Sequence, residues 1–384
     1  MTFPKLGILG AGQLGKMLCQ AGSCWELPIY ALDQKITYPA GPYCKGFQEG
    51  DYNSFEDVLA FGRQVDVLTI EIEHVNTAAL HQLVDEGKTV HPSPQALEII
   101  KDKGLQKQFY KKHEIPTAPF QLFDDENQII AAVNEGNLQY PFVQKTRTAG
   151  YDGKGVALIR TESDLSNKLL KGPSVVEDLV EMEKEIAVIV ARNESGEVKA
   201  FDPVEMEFHP TANLVEFLIC PSQLNPRQIE HCTQLAKEVI EKFNICGLLA
   251  VELFLDSTGN FLVNEVAPRP HNSGHHTIDS AVTSQYEQHL RGVLNLPLGD
   301  TSLTQPSVMV NILGAADNHG KAYYDGLSDC LAIPGTKIHI YGKEITKPFR
   351  KMGHVTVLAD SVDEAREKAK KVKETLSVIS TDEK

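Results

Sequence analysis

The sequence predicts a multidomain protein that joins an α/β module to α+β segments, and three patterns carry that prediction. Through Glu86, short apolar runs alternate with amphipathic stretches, as in a parallel sheet flanked by helices. In the middle of the chain, pairs of apolar runs flank glycine-containing turns, the mark of β-hairpins. After Pro297 the pattern breaks into short strands followed by one amphipathic helix.

Lys5–Gly10 is an apolar strand and Gly12–Cys19 opens a helix. Pro28–Leu32 is the next strand and ends at Asp33; Ser54–Arg63 is helical, Val65–Ile72 a strand, and Thr77–Glu86 a helix. Gly10-Ala11-Gly12-Gln13-Leu14-Gly15 fits the G-x-G-x-x-G pattern. Asp33 follows about 20 residues on, where a ribose-binding acid would sit. Together they would suit an NAD-dependent oxidoreductase. Glycines also suit any tight strand-to-helix turn, so this one either binds a substrate phosphate at the helix N-terminus or is structural. Glu71-Ile72-Glu73-His74-Val75 closes the third strand at the sheet edge where doubly wound folds bind ligands. Glu73 there would meet ribose hydroxyls or a small polar ligand, a solvated strand end being the alternative.

Pro94–Glu114 reads as one long amphipathic helix, stopped by Ile115-Pro116-Thr117-Ala118-Pro119. Pro141–Lys145 and Val156–Arg160 are strands around Arg147-Thr148-Ala149-Gly150-Tyr151-Asp152-Gly153-Lys154-Gly155. Such a loop can fold over polyphosphate with backbone amides and Lys154, while Lys145 at the strand end reaches the α/β-phosphates. It is no Walker A loop, which needs G-x-x-x-x-G-K-[ST] before a helix. An ordinary hairpin would be shorter and poorer in glycine. The strand Val175–Val180 turns polar at Glu177, as strands do where they grip an adenine amine and a ribose. Glu185, on the strand Lys184–Val190, is a candidate for the ribose hydroxyls, and His209 is a lone loop histidine after Val204–Phe208.

Leu249–His276 carries the strongest signal. Apolar runs flank Asp256-Ser257-Thr258-Gly259-Asn260, and a hairpin folded symmetrically about Thr258–Gly259 sets Glu252 opposite Glu265, Cβ atoms about 5 Å apart. Facing carboxylates repel unless a cation lies between them, and paired carboxylates on strands suit Mg²⁺ that also carries substrate phosphates. Arg269, His271, Asn272, His275 and His276 crowd the next stretch. The pattern reads as a nucleotide–metal site.

Arg227–Phe243 and Ser284–Leu294 are helices; Val308–Leu313, Lys337–Tyr341 and His354–Leu358 are strands, and Val362–Thr375 is the last helix. Lys343, Arg350 and Lys351 gather in one loop and would suit a substrate phosphate; a charged solvated turn is the alternative.

Composition removes other classes. Lys+Arg 37 against Asp+Glu 52 leaves −15, which argues against a nucleic-acid partner. Seven cysteines without a CxxC pair point to reduced packing residues in a cytoplasmic protein. No signal-peptide pattern precedes the first strand, and no apolar run reaches the roughly 18 residues a membrane span needs, so no membrane partner is expected.

The glycine-rich loop, the Glu177-x-x-Val180 strand and the Glu252/Asn264-Glu265 hairpin resemble the ATP-grasp fold. Ala267-Pro268-Arg269-Pro270-His271-Asn272-Ser273-Gly274-His275 narrows the resemblance to the 5-(carboxyamino)imidazole ribonucleotide synthetase family. Gly10–Met17, Glu71–Val75, Gly150–Gly155 and Lys351-Met352-Gly353-His354-Val355 agree with it; Ala149 and Val156 depart from the family pattern. The resemblance implies a Rossmann-like pre-ATP-grasp domain over 1–98, an ATP-grasp domain over 99–297 and a small β-rich, barrel-sandwich-like domain over 298–384. It implies a cytoplasmic homodimer that carboxylates 5-aminoimidazole ribonucleotide with bicarbonate and ATP, through carboxyphosphate, and passes the product to a separate mutase. Lys103, Lys145, Gly150, Tyr151, Asp152, Gly153, Lys154, Gly155, Glu177, Asp178, Leu179, Val180, Glu185, His209, Asn264 and Glu265 would then bind ATP. Glu252 and Glu265 would hold Mg²⁺ or Mn²⁺. Gln13, Glu73, Tyr151, Asp152, Arg269, His271, Asn272, Ser273, Lys343, Arg350 and Lys351 would surround the ribonucleotide and bicarbonate, with Asp152, Tyr151, Arg269 and Lys343 as the catalytic set.

Three rivals make different demands. A formate-using ligase acting on glycinamide ribonucleotide would keep the ATP site and differ around Arg269–His276. An NAD-dependent oxidoreductase would rest on Gly10–Gly15 and Asp33. A non-catalytic ATP sensor would release no phosphate on meeting a substrate.

Overall fold

The computed structural model describes residues 3–148, 155–208 and 215–381. Its amino-terminal sheet contains β1 (Leu6–Leu9), β2 (Ile29–Asp33), β3 (Gly46–Glu49), β4 (Val67–Ile70) and β5 (Thr89–Val90), all parallel, in the order β3-β2-β1-β4-β5. β1 and β4 are buried along their whole length, as central parallel strands covered on both faces must be. Helices Gln13–Ser23, Phe55–Gly62 and Thr77–Asp85 make the crossovers. β3 and β5 carry too few apolar residues to be read from pattern: β3 is a half-exposed edge and β5 only two residues long.

The single helix expected over Pro94–Glu114 is two. Pro94–Lys101 ends at Asp102, whose extended backbone (φ −117°, ψ 108°) breaks the helical ladder. The Asp102 carboxylate then accepts from the amides of Gly104 and Leu105 and caps the helix Lys103–Lys112. The apolar period runs through the break, which is why the sequence concealed it.

A small antiparallel sheet comes next, made of β6 (Phe120–Phe123), β7 (Phe142–Thr146), β8 (Val156–Ile159) and β9 (Ser174–Asp178), in the order β6-β9-β7-β8. Helices Glu126–Asn134 and Glu162–Lys168 cover it through the buried Ile129 and Leu165.

The large sheet is built from β10 (Met182–Arg192), β11 (Val198–Ala200), β12 (Val204–Phe208), β13 (Val215–Cys220), β14 (Gly247–Asp256) and β15 (Phe261–Ala267). One face takes the helix Pro226–Phe243, whose buried Cys232, Leu235, Ala236, Val239, Ile240 and Phe243 recur every three or four residues. The larger of these side chains contribute about 1.5–3 kcal/mol each by their burial. The helix starts at a reciprocal cap, Asn225 accepting from the Gln228 amide while the Gln228 side chain accepts from Asn225, and it stops at Asn244 in the left-handed region (φ 51°).

The carboxy-terminal strands β16 (Ser307–Leu313), β17 (Gly320–Asp325), β18 (Thr336–Ile340), β19 (Ile345–Thr346), β20 (Lys351–Leu358) and β21 (Ser377–Ser380) complete the chain. They divide between two sheets, β19, β17 and β21 forming a separate three-stranded one in that order. β16 pairs antiparallel with β13 in the register Phe217↔Val310 to Cys220↔Ser307, so the large sheet runs on through β16, β20 and β18. The helix Val362–Thr375 packs on this extension through Ala365, Ala369 and Val372. No helix of the described residues is long and apolar enough to cross a membrane, and the seven cysteines are unbridged.

Candidate active site

The hairpin β14–β15 sets Glu252 opposite Glu265, as its symmetry predicts, but by a different route. Near the turn the partners are Leu255↔Phe261 and Leu253↔Val263; a β-bulge then leaves Asn264 unpaired and restores the Glu252↔Glu265 register. In a regular strand Asn264 and Glu265 would point to opposite faces. The bulge turns both into one cleft: Asn264 Oδ1 accepts from Lys145 Nζ at 2.9 Å, and Glu265 pairs with Lys103 Nζ at 2.7 Å.

The two facing carboxylates differ in their electrostatic setting. Burial, with Glu265 and Glu185 nearby, pushes Glu252 up to about 8. Burial acts on Glu265 in the same sense, but Lys103, its ion-pair partner, and Lys145 outweigh it and hold Glu265 below the usual range. Glu185 on β10 is raised to about 7, chiefly by burial, with Lys145 opposing. Two facing carboxylates and an amide carbonyl form an all-oxygen set, which suits Mg²⁺ bound together with substrate phosphates. Among the described residues no three or more His, Cys, Asp or Glu side chains form a metal cage, so the remaining ligands would come from substrate or water.

Glu177 on β9 is more enclosed than its expected nucleotide-binding role suggests. Its carboxylate pairs with Lys145 (2.8 Å) and with Lys107 (2.9 Å), a residue sequence reasoning missed, and only 4% of its side chain is exposed. Burial favours the neutral acid, but Lys145 and Lys107 hold Glu177 below its ordinary range. The Glu177 side chain is thus committed to lysines and its residue pairs with Phe120 and Val143 on the two neighbouring strands; the exposed Asp178 and the half-buried Leu179 and Val180 follow it. The Lys103–Lys112 helix brings Lys103 and Lys107, one turn apart, onto this cleft. Arg147 forks onto Asp102 (Nε–Oδ1 2.9 Å, Nη2–Oδ2 2.7 Å), joining the stem of the glycine-rich loop to the start of that helix. Gly150, Tyr151, Asp152, Gly153, Lys154 and His209 lie outside the described residues; Gly155 is described, its carbonyl accepting from the Thr146 amide at 2.9 Å.

From Glu265 the chain runs directly into Arg269 and the loop beyond it. Arg269 Nε lies 2.8 Å from Glu73 Oε1, so two segments expected at the acceptor substrate meet across the first sheet and the hairpin. Burial works against the Arg269 cation, but Glu73 and then Glu71 raise its pKa. His271 Nε2 lies 3.7 Å from Glu252, and its Nδ1 receives the Ser273 amide at 3.3 Å. That assignment puts the neutral ring's proton on Nε2, facing the carboxylate. Asn272 and Asn311 exchange side-chain hydrogen bonds of 2.8 and 3.1 Å, and Asn311 also donates to the Val215 carbonyl at 3.0 Å. Lys343 Nζ donates to the Lys351 carbonyl at 2.8 Å, and Lys351 lies near enough to Glu252 to favour its charge. Arg350 instead donates outward to the Ile345 carbonyl at 2.6 Å, at an exposed position.

The glycine turn is not an open phosphate site. Glu71, at the end of β4, accepts from the amides of Gly12 and Gly15 with its two carboxylate oxygens. Asp33 Oδ2 accepts from the Ala11 amide at 2.7 Å, so the expected ribose acid is spent on the turn as well. Gln13 is the first residue of the helix that this turn opens. Of the two readings of the turn, the structural one fits.

Comparison with known proteins points to one family. A family model described as the ribonucleotide synthetase preATP-grasp domain matches residues 3–101, one for the ATP-grasp domain residues 108–286, and one for the phosphoribosylaminoimidazole carboxylase C-terminal domain residues 307–368. The chain is 36% identical over 365 residues to the chloroplastic phosphoribosylaminoimidazole carboxylase of Vigna aconitifolia, covering 93% of this chain and 64% of that protein. It likewise spans only 65% of the Candida glabrata carboxylase. It is 35% identical over 362 residues to the N5-carboxyaminoimidazole ribonucleotide synthase of Bacillus subtilis, covering 94% of this chain and 92% of that one. The crystal structure of the Thermotoga maritima synthetase superposes with a TM-score of 0.90 at 40% identity, covering 98% of this chain and 100% of that one. The Aspergillus clavatus synthase, solved with ADP and 5-aminoimidazole ribonucleotide, gives 0.89 at 30% identity, covering 97% and 98%.

Proposed function

The chain belongs to the N5-carboxyaminoimidazole ribonucleotide synthase family, and from that premise we propose that it is an ATP-dependent ligase that carboxylates the amine of 5-aminoimidazole ribonucleotide with bicarbonate. One observation supports this reading above the others: β15 carries Asn264 and Glu265 at the cation-ligand pair and continues within four residues to Arg269, which faces Glu73. A phosphoryl-transfer site and an acceptor site thus share one continuous segment.

In the reaction, an oxygen of bicarbonate attacks the γ-phosphorus of ATP, the bond to the β-phosphate oxygen breaks, and ADP leaves carboxyphosphate behind. Lys103 and Lys145, which pair with Glu265 and Glu177 on this cleft, are assigned to the phosphate oxygens, and positioning rather than covalent chemistry is what such a transfer needs. Mg²⁺, when bound, neutralises phosphate charge; Glu252, Glu265 and the Asn264 carbonyl are the groups that would hold it. The imidazole's exocyclic amine then attacks the carboxyl carbon, phosphate leaves, and the amine gives up a proton. Arg269, His271, Asn272, Lys343 and Lys351 are assigned to the acceptor and to bicarbonate. Asp152 is assigned to receive the proton, with Tyr151 beside it, on the ground of their place in the glycine-rich loop. Water must be kept from carboxyphosphate, and that loop is the proposed lid. A homodimer, a cytoplasmic location and a separate mutase downstream complete the reading.

ADP release measured with 5-aminoimidazole ribonucleotide, with and without bicarbonate, tests it. Release is expected to require both; release that ignores bicarbonate, or that runs with formate in its place, sinks the assignment.

A further inference from the structure

We propose that Glu71 is a positioning residue whose carboxylate serves as a built-in anion in the glycine turn and so aims Glu73 at Arg269. The second half of this assignment rests on the acceptor-site reading above.

The turn has the equipment of an anion site. It lies at the C-terminal edge of the parallel sheet, between the neighbouring strands β1 and β4, and it opens the Gln13–Ser23 helix, whose first amides have no intrahelical partner. The Glu71 carboxylate already takes two of those amides, Gly12 and Gly15. The glycines answer to this side chain. A Cβ on Gly10 would come within 2.5 Å of Glu71 Cγ, and one on Gly12 within 2.7 Å of Oε1. Gly10 is also held at φ +100°, which side chains rarely adopt. A pattern that elsewhere makes room for pyrophosphate here makes room for a carboxylate of the same chain.

The anchor has a direction. The Glu71 amide donates to the Leu9 carbonyl at 3.0 Å and ends the β1–β4 ladder, after which residues 71–75 have no regular structure. That segment is tied at three points: Glu71 to the turn, Glu73 to Arg269, and the Val75 carbonyl to Lys101 Nζ at 2.9 Å. Without the first tie, Glu73 would keep its ion pair but lose the fixed backbone that orients it. Burial raises the Glu71 carboxyl to about 6, with the Gly15 and Gly12 amides pulling the other way, so the anion persists at neutral pH.

The test compares wild type with Glu71→Ala. Without substrates, inorganic phosphate or formate is expected to raise the melting temperature of Glu71→Ala by more than that of wild type, because the vacated amides accept an external anion. In turnover, the KM for 5-aminoimidazole ribonucleotide is expected to rise about tenfold, the KM for ATP to stay within about twofold, and formate to reverse the loss. A folded variant that ignores both anions, or whose two KM values rise together, overturns the proposal. Should Glu71→Ala not fold, Glu71→Gln keeps the shape and removes the charge; an unchanged acceptor KM in it overturns the proposal equally. The melting measurement does not depend on the reaction, so it judges the place of the carboxylate even if wild type shows no bicarbonate-dependent turnover.

Discussion

Lys107 and Glu177 form an ion pair at 2.9 Å with only 3% and 4% of their side chains exposed, and Lys145 holds the other carboxylate oxygen at 2.8 Å. Withdrawing one member of such a set leaves a buried charge under-compensated. Lys107→Met is therefore expected to cost about 2–3 kcal/mol in urea unfolding, Lys145 limiting the loss. It should also raise the KM for ATP, because Lys145 would be drawn wholly to Glu177. The double variant Lys107→Met/Glu177→Gln should recover part of the stability; no recovery would show that the charges are not coupled.

Glu252 faces Glu265 with Glu185 close by, a cluster of like charges that lowers stability unless a cation joins it. In magnesium-free buffer with EDTA, Glu252→Gln is expected to gain on the order of 1 kcal/mol in stability, and with magnesium restored it is expected to lose substrate-stimulated ADP release. A variant that is both less stable and fully active would contradict this.

Four of the five buried histidines among the described residues carry most of the acid sensitivity of the fold. Burial lowers His276 to about 4 and His289 to about 3, and holds His275 and His354 well below the ordinary value of 6.5. The Leu248 amide donates to His289 Nδ1 at 3.2 Å and Thr69 Oγ1 lies 3.0 Å from Nε2, so the neutral ring carries its proton on Nε2. Because the folded values lie below the unfolded one, these rings contribute stability above pH 6.5 that drains away as pH falls toward 3. Every tenfold weakening of a ring's proton affinity on folding is worth about 1.4 kcal/mol. Chemical denaturation between pH 7 and 4 should show the fall, and His289→Gln should flatten it.

Asn311 belongs to β16, yet its reciprocal amide pair with Asn272 reaches into the loop after Arg269, proposed above to meet the acceptor. Asn311→Leu is expected to raise the KM for 5-aminoimidazole ribonucleotide several-fold while the KM for ATP changes little. Equal change in both would place Asn311 in the general scaffold instead.

The legible parts of this chain are those whose meaning is local. The Glu252/Glu265 opposition follows from one hairpin, although the symmetric turn and the unforeseen bulge at Asn264 were two departures that offset each other. Lys107 and Arg147 went unread because their partners, Glu177 and Asp102, lie 70 and 45 residues away, and no pattern along the chain links them. Asp102 broke a helix whose apolar period gave no sign of a stop, since the break depends on a side chain that caps the second of the two helices. The Gly10–Gly15 run could not reveal its occupant, because a carboxylate and a phosphate ask the same of the glycines.

The seam between β13 and β16 bears on how this chain can be cut and grafted. Without the segment that begins at Ser307, β13 would present a bare row of amides and carbonyls at Phe217–Cys220, an invitation to intermolecular pairing. Asn272 would at the same time lose its partner on the adjoining strand. A chimera that borrows its last part from a relative must therefore import a matching edge strand and an amide at the position of Asn311.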